Sequence, residues 1–503
     1  MSGKVFPSLS VPFSALLLIW MVSLVSFPSS GVGENRTSTD SSRPNLIILI
    51  ADQWRGQALG FLHEDPVETP ELDSLANHGV VLKNFISNYP VCSPARAMLM
   101  SGEYPFTNHV YGNCRTYDGD LSYNIELSPK TICWSDVLRD NGYSLGYIGK
   151  WHLTAPHSPY ILTYNNEGKE KWNEWTPPDQ RHGFEFWYSY GTYDRHLYPM
   201  YWTTNAARDD FHYVNAWEPQ NDVDTAIAFI ENQNGAYRKA GAPFGLVVSM
   251  NPPHTMYRQV PETYYDLYKN IAIDSFLRDP DIPPAGTSMG NAYREDVKHY
   301  FAAITGDDQQ IGRLLSVVRD RGLADNTIIL FISDHGDCLG KHGQITKNNL
   351  YEESLRVPFI LYWNGHIKCR IDSECLMSYP DIYPTLLDLM GFKSQIPTAV
   401  QGKSYASYLL TGRGKHPESQ YFMGNVQAPD SASGFRGVRT EEYKLAYQRT
   451  SNNKIEKFLF DLKTDPFELH NLYGMIPRIT DSLKNQLVKW LYYTNDPFLD
   501  KVK

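Results

Sequence analysis

Asn45-Leu46-Ile47-Ile48-Leu49-Ile50-Ala51, closed by Asp52, is an unbroken apolar run of strand length. A strand with one face in water alternates apolar and polar residues. A continuous run reads instead as a strand buried on both faces, the form a parallel sheet requires. Similar runs stand at 143–148, Phe244–Met250, Thr327–Ser333 and 357–362. Helical spacing lies between them, as in Val297, Tyr300, Phe301 and Ile304, continuing through Ile311, Leu314, Leu315 and Val318. Another helix is expected at Thr69-Pro70-Glu71, with Thr69 as N-cap, Pro70 in the first helical position and Gly79 after the last apolar turn. Alternating strands and helices make the large domain α/β with a mostly parallel sheet. From about Gly391 the pattern turns to Pro, Gly and short polar segments, then to alternating runs at 437–447 and 458–462 and a helix near 482–493. A large α/β domain over 44–392 is therefore expected to precede a smaller C-terminal α+β subdomain, 393–503, with a short antiparallel sheet.

With 503 residues, 42% hydrophobic and 20% charged, the chain is globular and long enough for one large core and a smaller one. Its net charge of -10 excludes the broad basic face of a nucleic-acid binder, so no nucleic-acid partner is expected. Aromatic content of 13% suits a protein that stacks sugar rings and equally suits a large core. Lys4, an apolar run over 11–27 and the small residues Ser29, Ser30, Gly31 and Gly33 read as a signal peptide, 1–32, followed by a polar linker, 33–43. The alternative is a retained anchor. A cleaved signal predicts a secreted or periplasmic protein with no stable membrane partner. Asn35-Arg36-Thr37 is a glycosylation sequon, relevant only in a host that glycosylates. Six cysteines are present, of which Cys369 and Cys375 are near enough in sequence to close a small surface loop.

The segment with the most chemical information is Val91-Cys92-Ser93-Pro94-Ala95-Arg96, followed by Met98-Leu99-Met100-Ser101-Gly102. Alone, a cysteine before a helical turn reads as a buried structural residue. In the context of an upstream strand ending in Asp52 and a downstream Ser-Gly, the segment resembles the signature of the formylglycine-dependent sulfatases. The resemblance implies an alkaline-phosphatase-like α/β/α sandwich and oxidation of Cys92 to formylglycine by a formylglycine-generating or anaerobic sulfatase-maturing enzyme. The hydrated aldehyde carries two hydroxyls on one carbon: one attacks sulfur, and loss of the other's proton expels sulfate and restores the aldehyde. A serine could perform only the first step.

Two strand ends supply candidate metal ligands, Asp52 with Gln53 and Asp334 with His335, and the carboxyl ends of parallel strands converge on one edge of a sheet. In the resembled family these positions, with residue 92, hold a cation, most often Ca2+; Mg2+ is also compatible with oxygen donors. His335 departs from the commoner amide there. The same resemblance carries Lys150 and His152 in Gly149-Lys150-Trp151-His152 to sulfate binding and to the formylglycine hydroxyls, and His254 in Asn251-Pro252-Pro253-His254 to protonation of the leaving alcohol. Lys347, before Tyr351-Glu352-Glu353-Ser354, resembles the lysine that holds a sulfate oxygen, and Arg96 completes the catalytic set. Fixed cations would stabilise a sulfuryl group in transfer. Each of these residues alone reads as a surface lysine or a hydrogen-bonded core histidine; their shared placement after strands favours a site.

The resemblance runs from Asn45 to Asp388 and returns from Phe460 to Glu468. The aromatic-rich insert 172–217 matches no family motif. It offers Arg195, His196 and Tyr198 as candidate substrate contacts, or simply packs its own rings. Gly286-Thr287-Ser288-Met289-Gly290 fits a serine-hydrolase pattern but has no strand before it and reads as a loop. The expected activity is hydrolysis of sulfate monoesters on a sulfated polysaccharide or oligosaccharide such as ulvan or carrageenan. Glycosaminoglycan sulfates, and phosphate or phosphonate esters on the same scaffold, are the alternatives, and a non-catalytic sulfated-glycan binder would have no need of the nucleophile signature.

Overall fold

The computed structural model describes residues 43–117 and 125–502. The expected signal peptide, and all of the expected linker except Arg43, lie outside these residues. Ten strands form one sheet, in the spatial order Arg370–Asp372, Val80–Leu82, Phe359–Tyr362, Thr327–Ser333, Asn45–Ala51, Phe244–Met250, Ser144–Lys150, Phe186–Tyr190, Met200–Thr203 and His212–Tyr213. The middle of the sheet, from Thr327–Ser333 to Phe186–Tyr190, is entirely parallel. Antiparallel pairings flank it on both sides. The run 357–362 yields one of these antiparallel strands, trimmed to Phe359–Tyr362.

Asn45–Ala51 is buried along its whole length, as expected of a strand covered on both faces. Leu46, Ile48 and Ile50 pack under the helices Cys92–Ser101, Trp134–Asp140 and Tyr379–Leu389. Ile47, Leu49 and Ala51 pack under Pro70–Ala76, Glu218–Glu231 and the 33-residue helix Ser288–Asp320. The strand's two-residue period thus divides one apolar run between two cores.

Several boundaries differ from the sequence expectation. The strand expected at 143–148 runs Ser144–Lys150, which makes Lys150 its last residue rather than the second residue past its end. Thr69 precedes its helix as expected, but its hydroxyl is engaged by Gly60 N at 2.8 Å and Asp73 Oδ1 at 2.8 Å and caps no helical amide. Ser288 opens the long helix, with the Thr287 hydroxyl accepting from Gly290 N at 3.1 Å, so the segment expected to be a loop is in part a capped helix start. The cysteines are all free; Cys375 is buried and Cys369 exposed, and they close no loop.

The C-terminal part holds a four-stranded antiparallel sheet, Gln420–Gly424, Gly434–Arg439, Tyr443–Arg449 and Ile455–Asp461, covered by the helix Pro477–Tyr493. The single alternating run 437–447 spans two strands, joined where Tyr443 N donates to the Thr440 hydroxyl at 3.0 Å. A tight hairpin preserves the two-residue period across its turn, so the pattern does not reveal the break. This sheet is tied to the large one through Glu352. Its carboxylate receives Arg439 Nη2 at 3.0 Å and Lys444 Nζ at 3.1 Å, with all three groups buried.

Replacing Glu352 by Gln leaves Arg439 and Lys444 in the interior without that charge, so the unfolding free energy is expected to fall by about 3–5 kcal/mol. Burial raises the Glu352 pKa, but Arg439 and Lys444 outweigh it and hold the group at about 2, below its ordinary 4.5. Its contribution is therefore complete above about pH 4.5 and lost as pH falls toward 2. Chemical denaturation of both proteins between pH 7 and pH 3 checks this: the difference between them must shrink on acidification.

Candidate active site

The register of the parallel strands places Ala51 beside Ser333 and Met250, so Asp52, Asn251 and Asp334 emerge side by side at the carboxyl edge of the sheet. Cys92 is the first residue of the helix Cys92–Ser101, which points its N-terminus at that edge, and Arg96 lies one turn further on the same helix. The Arg96 guanidinium is buried and reaches four strand ends at once. Nη2 donates to Asp52 Oδ2 at 3.1 Å, Nε to Asp334 Oδ2 at 3.0 Å, and Nη1 to Ser249 Oγ at 2.7 Å and to the Lys150 carbonyl at 2.8 Å.

Around the Cys92 Sγ stand His335 Nε2 at 3.3 Å, Lys347 Nζ at 3.5 Å, and Lys150 Nζ and Asp52 Oδ1 at 3.9 Å. Lys150, wholly buried, also contacts Asp52 Oδ2 at 2.7 Å and Asn251 Oδ1 at 3.0 Å. Lys347 bridges Gln53 Oε1 and His254 Nε2, each at 2.8 Å. His152 is buried, and neither ring nitrogen has a hydrogen-bond partner among the described residues. Its backbone is held by Ser93 Oγ, which donates to the His152 carbonyl at 2.7 Å.

Burial pushes the Asp52 and Asp334 carboxyls up alike, but with opposite outcomes. At Asp52, Lys150, His254 and His335 overcome burial and hold the group well below the usual range. At Asp334, burial and repulsion from Asp52 win, and its pKa is raised. Burial presses His335 toward its neutral form, yet Asp334 and Asp52 raise it to about 9. Burial and Asp52 push the Cys92 thiol up, while Lys150, Lys347 and His335 more than offset them and bring it well below its ordinary value. Ligand atoms of Asp52, Cys92, Asp334 and His335 lie within 4.8 Å of one another, a donor set that fits a divalent cation.

The structure thus gathers the expected catalytic and metal-ligand residues at one edge. It separates the three expected substrate contacts. Arg195 is exposed and lies 4.3 Å from the Tyr164 ring centroid. Tyr198 is exposed and stacked on Tyr213. His196 is buried, with Nδ1 2.8 Å from Glu218 Oε2 and Nε2 3.2 Å from the Thr255 carbonyl, so it braces the His254 loop instead of facing a sugar. The insert largely packs its own aromatics, in a cluster that includes Tyr190, Tyr193, Tyr201 and Trp202.

Four contributing residues carried no role in the sequence reading. Asn251 orients Lys150, Ser249 receives Arg96, Asp194 Oδ1 stands 3.4 Å from His254 Nδ1, and buried Glu218 holds His196 and, at 3.3 Å, Asn251 N. Asn251 and Ser249 flank a strand end and share the signal that exposed Asp52. Nothing local distinguishes Asp194 or Glu218. A cavity of about 1140 Å³ lined by Lys83, Glu353 and Arg439 contains none of the site residues.

The sulfatase family profile matches residues 44–392, and the profile described as "N-sulphoglucosamine sulphohydrolase, C-terminal" matches 340–492. An endo-4-O-sulfatase of Bacteroides thetaiotaomicron is 33% identical, covering 92% of this chain and 94% of that protein. An ulvan-active sulfatase of Formosa agariphila is 30% identical, covering 89% and 80%. The crystal structure of yidJ from Bacteroides fragilis superposes with a TM-score of 0.88 at 46% identity, over 93% of this chain and 100% of that one. The chain belongs to the sulfatase family and is a sulfuric ester hydrolase with the alkaline-phosphatase-like fold.

Gly149 explains the glycine of Gly149-Lys150-Trp151-His152. Its φ is +88°, and a Cβ there would lie 2.2 Å from the Ser249 carbonyl oxygen. Substituting Ala must spread the two strands that carry Lys150 and Asn251, and is expected to destabilise the protein by about 2 kcal/mol or more. A thermal melt unchanged from the parent would contradict this.

Proposed function

We propose that this sulfatase releases sulfate from a sulfated polysaccharide or its oligosaccharides, using formylglycine made from Cys92 and a calcium ion held by Asp52, Gln53, Asp334, His335 and residue 92. The observation that carries the reading is the meeting of Cys92 with two lysines, His335 and two buried carboxylates at the carboxyl edge of the sheet. Oxygen-rich donors favour calcium, with magnesium also compatible. The chemistry a bound cation supplies is stabilisation of negative charge on oxygen. The hydrated aldehyde contributes two hydroxyls on one carbon, so that sulfate taken up through one is expelled by deprotonation of the other.

The remaining work falls to this chain's own side chains. Lys150 and Lys347 converge on residue 92 and would hold the peripheral sulfate oxygens as charge spreads over them. His254, with Nδ1 facing Asp194 and the Thr255 carbonyl, would present Nε2 to the leaving oxygen and deliver a proton as the S–O bond to the alcohol breaks. His152, whose ring nitrogens have no hydrogen-bond partner among the described residues, would accept the proton released when sulfate departs. Arg96 would keep Asp52 and Asp334 in place. Overall, one water and one sulfate ester become an alcohol, sulfate and a proton.

A polymeric substrate is supported by the endo-4-O-sulfatase and ulvan-active relatives, with ulvan and carrageenan as the first chains to offer. Glycosaminoglycans are the second reading. A solved structure connected with glycosaminoglycan metabolism by Bacteroides thetaiotaomicron, 32% identical with a TM-score of 0.83, favours it. Export to the periplasm or medium after loss of residues 1–32 suits an enzyme of polymers, and a formylglycine-generating or anaerobic sulfatase-maturing enzyme would act on Cys92 first.

Mass spectrometry of the peptide containing Cys92, from protein made in its native host, is expected to show the aldehyde. Cys92→Ala is expected to lower sulfate release from an aryl sulfate by at least about 10⁴-fold with its melting temperature preserved. Unmodified cysteine in active protein, or parental activity in the variant, overturns the mechanism; faster turnover of an aryl phosphate overturns the substrate class. Chelation with EDTA is expected to abolish turnover and calcium to restore it, so activity that survives complete metal removal refutes the cation site.

A further inference from the structure

The insert holds a hollow of about 240 Å³ lined by Tyr164, Glu167, Tyr193, Arg195, Tyr198 and Tyr213, and the residue between Tyr193 and Arg195, Asp194, reaches His254. The hollow is bonded directly to the catalytic edge. The Tyr193 carbonyl accepts from Asn251 Nδ2 at 2.9 Å, and Asn251 Oδ1 holds Lys150. Asp194, between Tyr193 and Arg195, faces His254 and is itself fixed by Asn165 Nδ2 at 2.8 Å.

Its surface is unusual for a face turned to water. Leu162 is 90% exposed, Tyr198 46% and Tyr213 39%, and the neighbouring Leu197 and Met256 are exposed as well. Large apolar side chains gathered around one hollow mark a binding surface. Tyr198 and Tyr213 stack with ring centroids 5.2 Å apart and planes within 8°, and both line the hollow while staying partly exposed, so aromatic surface borders it. Arg195 is steadied by the Tyr164 ring and has no carboxylate partner among the described residues, so its donors remain available. Glu167 supplies acceptors on the same wall. Aromatic surface with a few donors and acceptors around it matches the chemistry of a sugar, which offers C–H bonds on one side and hydroxyls at its rim. The volume lies below the roughly 300–1,000 Å³ of sites for drug-sized molecules and suits a single ring.

We propose that this hollow is a subsite for the sugar next to the sulfated one, so that the enzyme reads its substrate as at least a disaccharide. The inference rests on the sulfated-glycan reading above and goes beyond it by assigning chain-length preference to Tyr198 and Arg195.

The test takes whichever of ulvan, carrageenan or chondroitin sulfate releases sulfate with the mature enzyme, and prepares from it the sulfated monosaccharide and the sulfated disaccharide. kcat/KM is expected to be at least about tenfold higher for the disaccharide. Tyr198→Ala and Arg195→Ala are expected to remove most of that ratio, mainly through KM. General damage to the fold would lower both substrates together and leave the ratio intact, so a ratio that survives in both variants overturns the assignment. Equal kcat/KM for the two sugars in the parent protein overturns it as well. Turnover of an aryl sulfate but of none of the three polymers ends the glycan reading and the subsite with it; turnover of neither defeats the sulfatase mechanism itself.

Discussion

The arrangement depends on one buried cation. The Arg96 guanidinium crosses the carboxyl edge of the sheet and bonds to Asp52, Asp334, Ser249 and the Lys150 carbonyl, groups contributed by four neighbouring parallel strands. Two carboxylates so close together repel each other and resist burial; a planar charge with several donors satisfies both while setting their spacing. A lysine, a single point of charge, could not hold four partners in fixed directions. Because Arg96 rides on the helix that begins at Cys92, the bonds that align the strand ends also set the position of Cys92.

The charge pattern around Cys92 follows from that framework. Asp52 is kept ionised by Lys150 and the neighbouring histidines, whereas burial and repulsion from Asp52 push Asp334 toward its protonated form. The site therefore interleaves charge of both signs: Lys150 Nζ lies 2.7 Å from Asp52 and Lys347 Nζ 2.8 Å from Gln53 Oε1, and both ammonium groups also face Cys92. Such a mixture suits the proposed reaction, in which a cation and an anionic sulfate ester would both approach residue 92. The contacts of Asp194 with His254 and of the Glu218–His196 pair with the Thr255 carbonyl join the insert to the site, so the aromatic segment also steadies His254.

Much of this could be read in the sequence, for identifiable reasons. Residues that must be buried on both faces leave an uninterrupted apolar run, and residues that do chemistry in a parallel sheet follow such runs; Asp52, His254 and Asp334 were exposed by that rule. Cys92 and Arg96 were visible only through the resemblance of the segment 91–102 to the sulfatase signature; without it the cysteine reads as a buried structural residue. Glu218 and Asp194 were not visible. Each lies in a polar stretch with no periodic signal, and each matters only because the fold delivers it to a neighbour distant in sequence. The hairpin at 440–442 was missed because its two strands continue one alternating pattern.

By itself, the sequence determined the α/β architecture and the strand ends at which the candidate site stands, because burial and periodicity are local properties of the chain. Only the tertiary structure decided how those residues share charge, that His196 faces inward while Arg195 and Tyr198 face solvent, and that Cys369 and Cys375 form no disulfide. Those outcomes turn on distances between segments far apart in the chain. No local pattern encodes them, because a side chain's partner is set by the packing of whole elements.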